Sequence, residues 1–291
     1  MSLQYWGRNF AGQSAQYAAT PVTFSSLPPA SSVEGQVRVL SDVNYIEVVS
    51  RGGVWRPRGG RQVLGMRMTN PVTVQSLSEI TAETLGPFPG GLVRAGMKLS
   101  LLFRFQHIAI GNPTRVYRLR IGAPGSEQDF AAQNVNAGTT QATGLAVQPF
   151  DVLSDVSAAH RGGFNGDEGM GWGNSNNFSP TVDFSQPWDI LIRLMSGAET
   201  AVTITGASWS AGVATYTTSA AHTLAVGDKD VISGITPSGW NTTAIVSAVG
   251  SPTTFSVPMA VDPGAYTGGA SPQSSRISNM ESQSWILTLE G

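Results

Sequence analysis

The chain has 291 residues and a formal net charge of −2; only 12% of the residues are charged, whereas glycine (34) and proline (17) are frequent. A charged fraction of about half the usual share, combined with many turn-forming residues, is typical of a β-rich protein and disfavours a helical one. The slightly negative balance argues against a general nucleic-acid binder, which needs a basic surface, and the lack of cysteine excludes disulfides and cysteine-based zinc sites.

The beginning of the sequence, MSLQYWGRNFAGQ, lacks the charged start and apolar centre of a signal peptide. No apolar run approaches the roughly 20 residues that a membrane-spanning helix needs. We therefore expect a protein that is made in the cytosol without export and that has no membrane span.

Residues 1–32 predict an extended N-terminal arm, because the aromatic residues Tyr5, Trp6, Phe10 and Tyr17 lie among Gly, Ser, Ala and Gln. Such an arm has too little apolar content to fold alone. Two outcomes stay open: the aromatic side chains dock on a neighbouring subunit, or the arm is a partly disordered tail.

Residues 33–65 predict a β-hairpin region. VEGQVRVLSDV and YIEVVSRGGVWRPRGG alternate apolar and polar residues between glycine turns, which is typical of antiparallel strands. Four arginines make the region locally basic: Arg51, Arg56, Arg58 and Arg61. These residues form either a solvated sheet face or a docking surface for an acidic partner.

Residues 66–204 together with 271–291 predict the main domain. Its long strand patterns, among them LSLLFRFQHIAI, TRVYRLRIGA and WDILIRLMS, are joined by loops rich in Gly, Pro and Asn. The pattern shows no amphipathic helices between strands, which a parallel α/β fold would require. The predicted fold class is therefore all-β, an antiparallel β-sandwich of jelly-roll type.

Residues 205–270 predict a small β domain inserted before the last strand of the main domain. An insertion at an exposed loop costs little free energy. The segment HTLAVGDKDVISGITPSGWN, residues 222–241, places His222 and Asp228 close together, as a catalytic loop would. Its Gly-Asp and Pro-Ser-Gly steps instead predict turns between short strands, and we expect His222 to pack or form a hydrogen bond at a strand end.

Candidate metal ligands and catalytic groups are few. The histidines, His107, His160 and His222, lack the spacing that would place two imidazoles on one metal. The best local carboxylate cluster for glycan hydrolysis consists of Asp151, Asp155, Asp167 and Glu168. A calcium site would use Asp167 and nearby Asn oxygens. Spacing alone does not show that these groups converge, and such loops often carry Asp for turn chemistry. We predict no enzyme activity, no cofactor and no metal.

Four of the seven tryptophans divide into two groups. Trp188 and Trp285 lie in apolar strand patterns and predict core positions. Trp172 and Trp240 lie in Gly/Asn-rich turns, where local packing and surface contact with sugar or protein are both open. The candidate contact residues for a partner or a glycan are therefore Trp172, Trp240, Arg51, Arg56 and Arg58.

Two segments resemble proteins of tailed-bacteriophage virions. SSLPPASSVEGQVRVLSDV, followed by GGVWRPRGGRQVL, resembles a segment with a Leu-Pro pair, a Gly-Gln strand and a hairpin ending in Trp-Arg-Pro. SWSAGVATYTTSAAHTLAVGDKDVISGITPSGWNTTAIVSAVGSPTTFSV resembles a β module of phage tail and surface proteins, with His-x-Leu-x-x-Gly-Asp, Thr-Pro and Thr-Thr-Phe. It departs from that pattern where Asn241 precedes Thr242 instead of Gly and where Lys229 replaces a small residue.

The resemblance implies a structural protein on the virion exterior, assembled in the host cytoplasm, of the head-fibre or capsid-decoration type. It would be attached to the particle through its N-terminal region, the arm (1–32) and the β-hairpin region (33–65). Its partners would be other virion proteins (major capsid, portal or neck, and tail), and it would be a homo-oligomer, with a trimer favoured. The alternatives are a tail fibre that binds host-surface glycan through its Trp172 and Trp240 loops and, less favoured, a glycan depolymerase.

Overall fold

The structure, a computed structural model, describes residues 20–108, 113–135, 141–154, 157–160 and 180–291. These residues form twenty β-strands and three single turns of 3-10 helix. The strands are β1 (Val37–Leu40), β2 (Ile46–Arg51), β3 (Val54–Pro57), β4 (Gln62–Arg67), β5 (Val72–Val74), β6 (Ile80–Phe88), β7 (Lys98–Ile108), β8 (Arg115–Gly122), β9 (Gln128–Val135), β10 (Gln141–Ser154), β11 (Ser157–His160), β12 (Trp188–Met195), β13 (Val202–Ser210), β14 (Val213–Thr218), β15 (Lys229–Ser233), β16 (Thr242–Ile245), β17 (Ala248–Ser251), β18 (Thr254–Pro258), β19 (Gln273–Arg276) and β20 (Asn279–Glu290). The predicted all-β fold class is confirmed.

Two antiparallel sheets form the larger domain. The first has the strand order β11-β10-β7-β20-β4, with β5 also paired to β20, and the second has the order β6-β12-β8-β9. The main strands in chain order are β4, β6, β7, β8, β9, β10, β12 and β20, and the chain changes sheet at every step between them except from β8 to β9. This repeated crossing between two four-stranded layers is the connectivity of a jelly roll.

The core lies between these two sheets because one side of each strand is apolar. Side chains alternate along a strand, so Phe103 and Phe105 of β7 point inward together, as do Tyr117 and Leu119 of β8. The rings of Phe105 and Tyr117 meet across the sandwich at a centroid distance of 4.1 Å. Each fully buried side chain of this size contributes about 1.5–3 kcal/mol of hydrophobic stabilisation, so the inner faces fix which residues face outward.

The N-terminal part of the described chain packs onto the same core. Strands β1, β2 and β3 form a three-stranded sheet that buries Leu40 and Trp55. The Trp55 indole donates a hydrogen bond to the carbonyl of Pro28 at 3.0 Å, and Val22 pairs with Leu40 as a parallel bridge. Residues 20–32 of the predicted arm thus lie against their own chain; residues 1–19, with Tyr5, Trp6, Phe10 and Tyr17, lie outside the described residues.

The inserted domain has a sheet and a core of its own. Its strand order is β16-β15-β19-β13-β14-β18-β17, and its buried centre includes Tyr216, Trp240 and Phe255. The chain leaves the jelly roll after β12 and returns to it at β20, so the whole sheet lies in the last connection between main strands.

An arginine fastens the inserted domain to the jelly roll. Arg276 Nη2 and Nε bind the two carboxylate oxygens of Glu199 at 2.7 and 3.0 Å, and its Nη1 lies 3.3 Å from Asp228 Oδ2. Glu199 follows β12, whereas Asp228 belongs to the inserted domain. Next to it, the ammonium group of Lys229 donates to the carbonyl of Gln75 at 3.3 Å. Bidentate pairing of this kind fixes orientation as well as distance.

We expect Arg276→Gln to destabilise the protein far more than Arg58→Gln. Arg276 and Glu199 are largely buried, and removing one partner of a buried ion pair costs about 3–5 kcal/mol. The Arg58–Glu47 pair is about half exposed, and such pairs contribute under about 1 kcal/mol. Urea denaturation followed by tryptophan fluorescence measures both free energies of unfolding. Equal losses in the two variants would contradict the fastening role.

Candidate functional site

The predicted basic surface lies on the hairpin formed by β2 and β3. Arg51 and Arg58 are exposed and Arg56 is half-buried. Arg58 Nη1 lies 3.2 Å from Glu47 Oε2, so part of the local positive charge is already balanced within the hairpin. Arg51 and Arg58 are thus accessible to solvent on this hairpin, and docking of an acidic partner there stays a prediction.

Trp240 is not a surface residue, and the prediction of a partner or glycan contact there is wrong. Its side chain is only 1% exposed and meets the ring of Tyr216 edge-on at 5.8 Å. The 3-10 turn Ser238–Trp240 places the indole in the core, and the Tyr216 hydroxyl donates to the Trp240 carbonyl at 2.8 Å.

Of the other tryptophans, Trp172 lies outside the described residues. Trp188 is fully buried, as predicted, and Trp285 packs at the core edge with its indole donating to Glu83.

The histidines that the structure describes pack rather than form a chemical site. His222 lies in the connection between β14 and β15 and not at a strand end. Its ring meets the ring of Phe255 edge-on at 5.4 Å, and its backbone N–H donates to the carbonyl of Pro252 at 2.8 Å. His107 is fully buried, and burial together with the nearby Arg115 charge lowers its pKa to about 4. The imidazole of His107 is therefore neutral at ordinary pH.

The side chains of the four candidate carboxylates are not among those that the structure describes. Asp151 lies in β10, where the side chain is not described, and Asp155, Asp167 and Glu168 lie outside the described residues. The same holds for the His160 side chain in β11. Within the described ranges, no group of three or more His, Asp or Glu side chains is arranged to hold a metal ion.

A charged cleft lies on the outer face of the second sheet, in a place that sequence reasoning did not identify. It is lined by Glu79, Arg118, Arg120, Asp129 and Arg193. Arg118 and Arg120 alternate along β8 with the buried Tyr117 and Leu119, so the core forces both arginines outward. Four separate segments of the chain converge here because β6, β12, β8 and β9 are neighbours in the sheet.

The charges in the cleft form one alternating chain. Arg193 Nε lies 3.1 Å from Glu79 Oε1, and Arg118 Nε donates to Glu79 Oε2 at 2.9 Å. Arg118 also binds Asp129, whose other oxygen lies 3.1 Å from Arg120 Nε. Arg193 and Arg118 are directly opposite each other across β12 and β8, a like-charge pair that would be destabilising alone. Glu79 between them removes that repulsion.

A pair of buried carboxyl groups lies beside the cleft. Glu127 and Asp189 are 7% and 5% exposed, and Arg120 binds the backbone carbonyl of Glu127. Burial, repulsion by Glu127 and a hydrogen bond with the Glu127 carboxyl raise the pKa of Asp189 to about 6. Gly125 N–H donates to Glu127 Oε1 at 2.6 Å.

Trp240→Ala should destabilise the inserted domain by about 3–5 kcal/mol, because a large buried ring would be replaced by a cavity. The matched control is Val261→Ala, at a side chain that is 76% exposed, where we expect a change within about 0.5 kcal/mol. Chemical denaturation of both variants gives the two values. A near-neutral Trp240→Ala would contradict the buried position.

Asp189→Asn should remove a pH dependence of stability between about pH 4 and pH 6. The folded pKa lies above the ordinary value of 3.8, so the folded protein holds the proton more tightly and loses stability as pH rises through this window, by roughly 3 kcal/mol in all. Asp230 in the inserted domain has a pKa that burial raises to about 7, so the wild-type curve contains both contributions. The difference between the two proteins isolates Asp189, with the exposed Asp262→Asn as control.

Thermal unfolding midpoints at pH 4, 5, 6 and 7.5 measure this difference. Wild type and Asp189→Asn are expected to diverge progressively across the window, with the variant more stable at the high end. Parallel curves would show that Asp189 does not change its proton affinity on folding.

The residues that the structure describes include no helix long and apolar enough to cross a membrane. The chain matches no family model, no curated protein and no solved structure. The function of the protein must therefore be argued from its own sequence and geometry.

Proposed function

We propose that the protein is a structural component of a tailed-phage virion, displayed on the particle exterior as a head-fibre or capsid-decoration protein. The observation that carries this proposal is a jelly roll with a second β domain fastened into its last interstrand connection. Jelly rolls occur in viral capsid proteins, but also in lectins and cupins, so the fold alone does not select a function. The resemblance of two segments to phage virion proteins favours the first of these classes.

The parts of the chain have distinct roles in this proposal. The N-terminal region and the basic hairpin would attach the protein to a capsid, portal, neck or tail protein, since their sheet is held firmly by the jelly-roll core. The inserted domain, with its own core, would project from the particle.

Subunit contacts would involve the edge of the first sheet. Met66 in β4 and Met68 just after it are each 59% exposed. Exposed apolar side chains on an edge strand are typical of surfaces that associate. We propose a homo-oligomer, with a trimer favoured, which would stabilise the protein without any disulfide.

Receptor binding to host-surface glycan is the second candidate function. It is favoured by one observation, the open charged cleft on the second sheet, whose volume is about 310 Å³. This is near the lower end of the range for ligand sites, which is about 300–1,000 Å³. This candidate function does not require a contact through the buried Trp240.

Immunogold electron microscopy of intact particles tests the leading proposal. Antibodies against the protein are expected to label the exterior of the head, and particles lacking the gene serve as the control. Purified virions without label would contradict a virion role. Normal particles that fail to adsorb to host cells when the gene is deleted would replace decoration by the tail-fibre candidate.

A further inference from the structure

The charged cleft contains hydrogen-bond donors that the described protein does not use. Each guanidinium carries five N–H hydrogens. In the described residues, Nε and Nη1 of Arg118 and Nη2 of both Arg120 and Arg193 donate hydrogen bonds. Nε of Arg120 and of Arg193 makes no hydrogen bond but lies within ion-pair distance of Asp129 and Glu79, at 3.1 Å in each case. One terminal nitrogen on each arginine is therefore left for a ligand. Because the other nitrogens are held, these donors are already oriented, and binding costs little side-chain entropy.

The net charge of the cleft selects a single anionic group. Three arginines face two carboxylates, so one positive charge is unbalanced. One carboxylate would balance it and would form charge-assisted hydrogen bonds to the free guanidinium nitrogens. A strongly charged polyanion would instead meet repulsion from Glu79 and Asp129, which line the same cleft.

The two carboxylates of the cleft also offer hydrogen-bond acceptors. An ionised carboxylate has about four lone-pair sites, and each oxygen of Glu79 and Asp129 has one arginine partner in the described structure. The remaining lone pairs suit donors on a ligand, and hydroxyl groups are the natural donors beside a carboxylate. A sugar acid supplies both kinds of group on one ring, whereas an acidic peptide supplies the carboxylate with few hydroxyls.

We propose that this cleft binds an acidic saccharide unit, with its carboxylate on the arginines and its hydroxyls on Glu79 and Asp129. The proposal gives the glycan-binding candidate a site and a ligand class. It does not require a location on the virion, since binding is a property of the isolated protein. A failure of this site would therefore leave the structural role untouched.

Isothermal titration of the purified full-length protein with methyl β-D-glucuronide tests the site. We expect saturable binding, with the neutral methyl β-D-glucoside at least about 10-fold weaker, because a lost charge-assisted hydrogen bond costs about 1.5–3 kcal/mol. Sodium sulfate and N-acetyl-aspartate amide, which lack the hydroxyls, should also bind more weakly. Glucuronide that does not bind, or that binds no better than any of these three probes, overturns the proposal.

Variants show whether this cleft is the site. Arg193→Gln should weaken glucuronide binding at least about 10-fold, and Arg120→Gln should do the same, so one variant that fails to fold still leaves a measurement. Lys98→Gln, at an exposed cation on the first sheet, is the matched control and should bind as wild type does. Glu79→Gln removes one negative charge from the cleft. The cleft then repels a doubly charged anion less, so its preference should shift from glucuronide toward sulfate. Thermal unfolding verifies folding, and undiminished binding by a folded arginine variant overturns the proposal.

Discussion

The two-residue period of the sandwich strands is the constraint on which the rest of the structure depends. Because every second residue of β8 and β12 is buried in the core, the residues between them must point outward. On that outer face, Arg118 and Arg193 lie directly opposite each other. The repulsion between them then requires an acidic neighbour, which Glu79 supplies from the approach to β6. The cleft is thus a consequence of how the core is packed, and four of its five charged residues are held by strands, whose positions vary less than those of loops.

The jelly roll and the inserted domain have separate hydrophobic cores. Each domain buries its own apolar cluster, so neither needs the other to remove its hydrophobic surface from water. The joint between them is instead polar, with Arg276 bound to one carboxylate from each side. Such a joint fixes orientation at little cost in hydrophobic area, which suits a domain carried at a defined angle on a scaffold.

The sequence predicted what depends on local pattern and missed what depends on strand order. Alternation in β7 and β8 was enough to infer the inner faces and an antiparallel sandwich, and the Gly-Asp step correctly indicated a turn at Asp228. The pattern of the sequence did not predict the cleft, because Glu79, Asp129 and Arg193 are distant in sequence. They come close together only because the sheet has the strand order β6-β12-β8-β9. Trp240 was misjudged as a candidate contact because a Gly-rich turn indicates exposure of the backbone but not the direction of the side chain.

The two ends of the inserted domain lie side by side. Its first strand, β13, and its last, β19, are antiparallel neighbours, with Val202 opposite Ser274. Cα atoms in such pairs are about 5 Å apart, so the chain enters and leaves the domain through a single narrow opening. A domain joined in this way is exchangeable: recombination can replace it with another unit whose ends are similarly close, without altering any strand of the jelly roll. The inserted domain can then diversify while the jelly roll stays constant.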